Sequence, residues 1–326
     1  MHLLRGLLHR PGRVVPELRR RAGAPAAPSG RGGNRVSGAA AAGAGHQVDT
    51  ASGYRVPVTW YAGAPDTPTV VLLPALGVAA RFYDKLAATL AGSGLNVAVM
   101  EQRGQGDSAS RPGRRHNWGF AEVLDNDLPA LLDWAEARRP GAPLYLMGHS
   151  LGGHFAAITA GRFAERIHGL ILVATGSPWW KAFEGARTRP DAKSVRRLIR
   201  LIPAAGLLFG YFPGARIGFG GNEARGVMND WRTLAQHNRY QARGLDEDLD
   251  AAVAAYTGPV LAVRLADDAL APPASVKAIT DKFRNARLSQ RLVTADQLGD
   301  RADHFRWARQ ARLVADLVTP FVAGPR

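Results

Sequence analysis

Short apolar runs and helical patterns alternate along most of this chain, and that rhythm restricts its fold more than any other feature. Strand-like runs lie at Arg55–Tyr61, Thr69–Leu73, Leu95–Met100, Pro143–Met147, Gly169–Ala174, Pro259–Arg264 and Gln290–Thr294. Most are continuous and rich in Val and Leu, the pattern of strands covered on both faces. Helical periodicity fills the gaps at 79–92, 120–138, 151–165, 273–284 and 303–318. Such alternation predicts an α/β protein with a mostly parallel central sheet and helices on both faces. Between Ala174 and Pro259 the rhythm stops for about eighty residues, in which no clear strand is visible.

Composition removes several function classes. The 326 residues include no cysteine, which excludes disulfides, thiolate metal sites and Cys nucleophiles. The formal charge of +15 is uneven: residues 1–45 carry eight Arg and one acid, Glu17. No nucleic-acid-binding module accompanies that charge, so no nucleic-acid partner is expected. Arg5 and Arg10 interrupt the apolar residues of this segment before a signal-peptide core can form. No stretch reaches the roughly 18 apolar residues of a spanning helix. The expectation is a disordered basic tail over 1–45, able at most to associate weakly with a membrane surface, on a cytoplasmic protein.

One stretch carries the chemistry. PLYLM reads as a strand, GHSLGG follows, and HFAAITAGRFAERI reads as a helix. Strand, Gly-x-Ser-x-Gly and helix together place Ser150 on a tight turn. Its neighbours Gly148 and Gly152 must be small there, and the free N–H groups of the next helix face the hydroxyl. A serine needs a base to remove its proton. Among nine histidines, His304 stands out because it follows the last strand in a loop that opens the final helix. His149 is expected to point away from Ser150, and His154 to pack or cap. After the strand PVLAVR come Asp267 and Asp268, either of which could orient an imidazole or shape a turn.

Four blocks resemble the α/β-hydrolase superfamily over about residues 50–322: VVLLPALGVAARFYDKLAATLAGSGLNVAVMEQRGQGDSA, LMGHSLGGH, PVLAVRLADDALAPP and ADHFRW. The segments PALGVAARFY and YFPGARIGFGG are most similar to a bacterial branch related to serine-aminopeptidase-like and lysophospholipase-like hydrolases. The resemblance implies the α/β-hydrolase fold, with core segments 46–177 and 257–326 and an inserted cap over 178–256. It implies a triad of Ser150, Asp268 and His304. Asp268 is selected over Asp267 because Asp268-Ala269-Leu270-Ala271-Pro272 matches the family's Asp-x-aliphatic-x-Pro. It implies an oxyanion hole from the backbone N–H groups of Leu76 and Leu151, although Pro74-Ala75 stands where members often carry His-Gly. Glu101 replaces a frequent Asp and is expected to be structural. Trp179, Trp180, Phe209, Tyr211 and Phe212 are candidates for a hydrophobic substrate pocket. No cofactor or metal is implied. The expected function is hydrolysis of a carboxylic ester of a small hydrophobic or acyl substrate through an acyl-enzyme. Acyl transfer, amide or peptide cleavage, and a non-catalytic ligand-binding scaffold stay open as alternatives.

Overall fold

The computed structural model describes residues 43–186 and 189–324. The expected disordered segment therefore lies almost wholly outside the described residues. Its last three residues, 43–45, do not. Ala44 and Gly45 begin β1 (Ala44–Asp49), which pairs antiparallel with β2 (Arg55–Tyr61). The boundary drawn at residue 45 thus falls inside a strand. Composition concealed it, because AGAG continues the Ala/Gly-rich run without an apolar alternation.

All seven expected strands are present. With β1 they form one eight-stranded sheet that also contains β3 (Thr69–Leu73), β4 (Asn96–Met100), β5 (Leu144–His149) and β6 (Gly169–Val173). Two further strands follow the long interval. These two are β9 (Pro259–Leu265) and β10 (Arg287–Val293). The order is β1-β2-β4-β3-β5-β6-β9-β10. The β1–β2 and β2–β4 pairs are antiparallel and all the others parallel. Alternate residues of the central strands feed two cores. Val71, Leu73, Leu144 and Leu146 belong to one, while Val70, Leu72, Tyr145 and Met147 belong to the other.

Helices α1 (Asp84–Gly92) and α8 (Ala311–Ala323) cover the second core, and α2 (Leu128–Arg138) and α3 (Leu151–Arg162) the first. The interval between β6 and β9 holds three longer helices and one hairpin. These are α4 (Ala192–Phe209), the antiparallel hairpin of β7 (Tyr211–Pro213) and β8 (Asn222–Ala224), α5 (Arg225–His237) and α6 (Leu249–Ala255). Three-residue strands are too short to show an alternation, which is why the interval read as strandless. Helix α7 (Pro273–Thr280) connects β9 to β10. No helix among the described residues is long and apolar enough to cross a membrane.

Candidate active site

Three parallel strands deliver the candidate residues to one end of the sheet, where the carboxyl ends of such strands open a crevice. Ser150 follows β5 with φ 52° and ψ −116°. A positive φ at a non-glycine residue stores about 1–3 kcal/mol of strain. The packing around the turn holds it in place. A methyl group on Gly148 would lie 2.3 Å from the Gly153 nitrogen, and one on Gly152 would lie 2.0 Å from the Leu73 carbonyl oxygen. The Ser150 N–H donates to the Val173 carbonyl at 3.1 Å, so the turn is tied to β6 as well.

His304 lies in the loop after β10, and it is buried. Its Nδ1 donates to Asp268 Oδ2 at 2.7 Å. The other oxygen, Oδ1, accepts from the Leu270 and Ala271 N–H groups at 2.8 and 3.0 Å. Asp268 therefore shapes its own loop and orients the imidazole with separate oxygens. Asp267 faces elsewhere. Its Oδ2 accepts from Ala302 N–H at 3.0 Å, and its own N–H donates to the Ala302 carbonyl at 2.9 Å. That pair pins the histidine loop to the end of β9.

Ser150 and His304 line one cavity of about 160 Å³, together with Ala75, Leu76 and Leu151. No hydrogen bond joins the two side chains among the described residues. The Leu151 N–H is one of the unpaired donors at the start of α3. The Leu76 N–H likewise donates to no described group. The loop that carries it is fixed from three sides. Gln102 Nε2 donates to the Pro74 carbonyl at 2.6 Å, the Ala75 N–H donates to Tyr83 Oη at 2.9 Å, and Gly77 lies flush against Gly220 and Gly221. Glu101 accepts from the Ala80 N–H at 3.0 Å and from the Asp107 N–H at 3.3 Å, a loop-bracing position.

The remaining wall is largely apolar and comes from the interval between β6 and β9: Phe183, Val195, Leu198, Ile217, Phe219 and Trp231. None of the five aromatic residues expected from sequence lines it. Trp179 and Trp180 are half-buried, with the Lys181 ammonium 5.7 Å from each ring and the Arg196 guanidinium 4.8 Å from Trp180. Phe209 and Tyr211 touch each other at the outer end of α4. Phe212 is buried against Phe219, one layer behind the wall. Aromatic size alone does not tell which face of a helix or hairpin points inward. The 3–4 spacing of Val195, Leu198, Ile199 and Ile202 does, and it was the signal available in the sequence.

Two histidines beside Ser150 do more than pack. His154 also lines the cavity. Its Nδ1 meets the Tyr240 hydroxyl at 2.8 Å and its Nε2 the Gly176 carbonyl at 3.1 Å. Burial lowers its pKa to about 4, so the ring is neutral near pH 7. His149 does not line the cavity but packs behind His304. Its Nδ1 meets Tyr83 Oη at 2.8 Å, and its Nε2 meets the backbone carbonyl of His304 at 2.9 Å. Sequence offered no signal for Tyr83, which comes from a 3₁₀ turn 67 residues before Ser150.

The sheet order and the crevice at its carboxyl ends define an α/β-hydrolase fold, and solved structures of that fold superpose on most of the chain. Est1E from Butyrivibrio proteoclasticus, with ferulic acid bound, matches with a TM-score of 0.57 at 17% identity, over 85% of this chain and 98% of that one. Residues 64–295 match the family model described as serine aminopeptidase, S33, and the chain belongs to that family. The matched span includes Ser150 and Asp268 and ends before His304. Among curated proteins, the chain is 29% identical over 125 residues to lysophosphatidylserine lipase ABHD12 of Gallus gallus. The match spans 38% of this chain and about a quarter (27%) of that relative's length. It is 32% identical over 92 residues to human monoglyceride lipase, covering 28% of this chain and 29% of that protein.

Proposed function

We propose that the protein is a serine esterase that cleaves small hydrophobic acyl esters through an acyl-enzyme, with residues 178–256 as a cap over the site. Ser150 Oγ attacks the ester carbonyl while His304 Nε2 takes its proton. Asp268 holds the imidazole by Nδ1–H and stabilises its cationic form. The Leu76 and Leu151 N–H groups receive the developing oxyanion. The alcohol leaves with the proton from Nε2. Water then gives a proton to Nε2 as its oxygen attacks the acyl carbonyl, and the intermediate collapses to release the acid while Ser150 Oγ takes that proton back from Nε2.

The observation that carries this reading is that His304, bonded to Asp268, lines the same cavity as a strained Ser150. The cavity's size speaks to the substrate. An apolar cavity of about 150 Å³ accommodates benzene, so 160 Å³ matches an acyl group of roughly six carbons. Ester cleavage is favoured over recognition of a peptide amine because the described residues that line the cavity include no carboxylate to pair an ammonium group. Lipid-ester hydrolysis by the two curated relatives agrees with this choice.

The test is labelling with a fluorophosphonate, followed by turnover of a series of p-nitrophenyl esters. Covalent labelling of Ser150, its loss in Ser150→Ala, and a turnover maximum near six acyl carbons are expected. An unlabelled wild-type protein, or equal labelling of Ser150→Ala, would overturn the reading.

A further inference from the structure

Helix α4 has two faces with different surroundings. On the inner face, Ser194, Val195 and Leu198 line the cavity, and Ile199, Ile202 and Ala205 are buried beside them. The outer face is exposed at Lys193, Arg196, Arg197 and Arg200 in its first half, and at Pro203, Ala204, Leu207 and Leu208 in its second. Spacings of three and four residues put all eight on one stripe. Helix α4 contains four cations and no acid.

The apolar end stands out on this molecule. Leu207 and Leu208 are 77% and 63% exposed, the highest values for large apolar side chains among the described residues, and Phe209 beside them is also exposed. Arginine side chains collar this end. Arg114 donates to the Leu207 and Leu208 carbonyls and lies against Gly210, while Arg225 lies against Gly206. Arg114, Arg115 and Arg225 are all exposed.

Three apolar side chains at one helix end fall short of the roughly 800 Å² per partner that a stable protein interface buries. A helix whose outer face is cationic along one half and apolar at the other fits a lipid–water boundary. There leucines enter the acyl region while Lys and Arg meet lipid phosphates. Each Lys or Arg near an anionic bilayer adds attraction that salt screens.

We propose that the outer face of α4 docks on an anionic phospholipid surface, with Leu207, Leu208 and Phe209 entering the acyl region and Lys193, Arg200 and Arg114 on the headgroups. Because α4 also forms a wall of the cavity, docking brings the cavity close to a store of acyl esters. Only that last consequence rests on the esterase reading.

Cosedimentation of the full chain with vesicles of phosphatidylcholine, with and without phosphatidylglycerol, tests the docking. The wild-type protein should bind the phosphatidylglycerol vesicles and release them as salt is raised. Leu207→Glu/Leu208→Glu should bind at least about tenfold more weakly, since it removes two leucines from the apolar contact, with an unchanged melting transition. Lys193→Glu/Arg200→Glu should lose the preference for phosphatidylglycerol. Ser150→Ala should bind as the wild type does, which separates docking from turnover. Wild-type protein that ignores both vesicles overturns the proposal, and so does undiminished binding by Leu207→Glu/Leu208→Glu. A dimer that forms without lipid and that this same variant dissolves would assign the patch to a second copy instead.

Discussion

His149 Nε2 donates to the backbone carbonyl of His304 at 2.9 Å, so the residue before the candidate nucleophile holds the main chain of the candidate base. The direction of each bond follows from its partners. Tyr83 Oη receives the Ala75 N–H, so its own proton goes to His149 Nδ1. The carbonyl of His304 can only accept, so the ring proton of His149 sits on Nε2. Burial, and then the neighbouring His304, push the His149 pKa well down, in keeping with this neutral ring. The chain of bonds links the loop at Ala75, proposed to hold the oxyanion, to His304. Trp307 Nε1 donates to the same carbonyl at 3.0 Å.

Tyr83→Phe tests that linkage. It strands the Ala75 N–H and His149 Nδ1, which should cost about 1–3 kcal/mol of stability. Esterase turnover should also fall by about tenfold with KM little changed, because a displaced Leu76 amide or imidazole is felt mainly in the transition state. Steady-state kinetics well below the melting transition make the distinction. A lowered melting temperature with normal kcat would assign the linkage to stability alone.

The adjacent aspartates should separate cleanly. Asp268→Asn can keep an oxygen on the Leu270 and Ala271 amides, but it then turns an NH₂ toward His304 Nδ1. That forces the wrong tautomer and should cost up to roughly 10⁴ in turnover. Asp267→Asn retains an oxygen for the Ala302 N–H and should cost no more than about 1 kcal/mol in stability. Single-turnover acylation of both variants by one activated ester decides the matter. A crippled Asp267→Asn beside a near-normal Asp268→Asn would place the orienting acid one residue earlier.

The sheet was legible because Val- and Leu-rich runs such as Thr69–Leu73 are buried on both faces, which leaves a continuous apolar signal. Ser150 was legible because Gly148 and Gly152 are both demanded by contacts at about 2 Å. The choice of Asp268 over Asp267 as the partner of His304 needed the family resemblance, since no local pattern joins residues 36 apart. The cavity wall was not legible from aromatic size, because helical phase decides which side chains face the cavity. Leu198 faces the cavity while Phe209, on the same helix, faces outward. Tyr83 and His149 were hidden for a different reason. Their bond spans 66 residues, and nothing in either local segment marks it.

The wall also sets an expectation for specificity. Leu198 lies on the cavity face of α4. Leu198→Ala should lengthen the preferred acyl chain by two to three carbons, on the order of the side-chain volume removed, and cost about 2–5 kcal/mol of stability. Phe209→Ala, on the outer end of the helix, should leave chain-length preference unchanged. Competition among linear esters of graded length gives the comparison, and an unshifted maximum in Leu198→Ala would remove that residue from the acyl site.

Glu223 makes the stability of the insertion depend on pH. It is buried, accepts from the Gly221 N–H at 2.8 Å and from Gln105 Nε2 at 3.2 Å, and forms no salt bridge among those found between described residues. Burial raises its pKa from 4.5 to about 7. Between those values the folded chain keeps a proton that the unfolded chain has lost. Stability should therefore fall as pH rises through that window, by at most about 1.4 kcal/mol per unit and on the order of 3 kcal/mol in all. Glu223→Gln keeps an acceptor for Gly221 and Gln105 but cannot ionise. Asp127 and Asp230, which burial raises to about 6, are present in both proteins and cancel in the difference. The variant should thus be more stable than the wild type at pH 8, with the gap closing toward pH 4.5. Paired urea melts at pH 5 and pH 8 measure it. A gap of equal size at both values would mean that Glu223 takes no proton on folding.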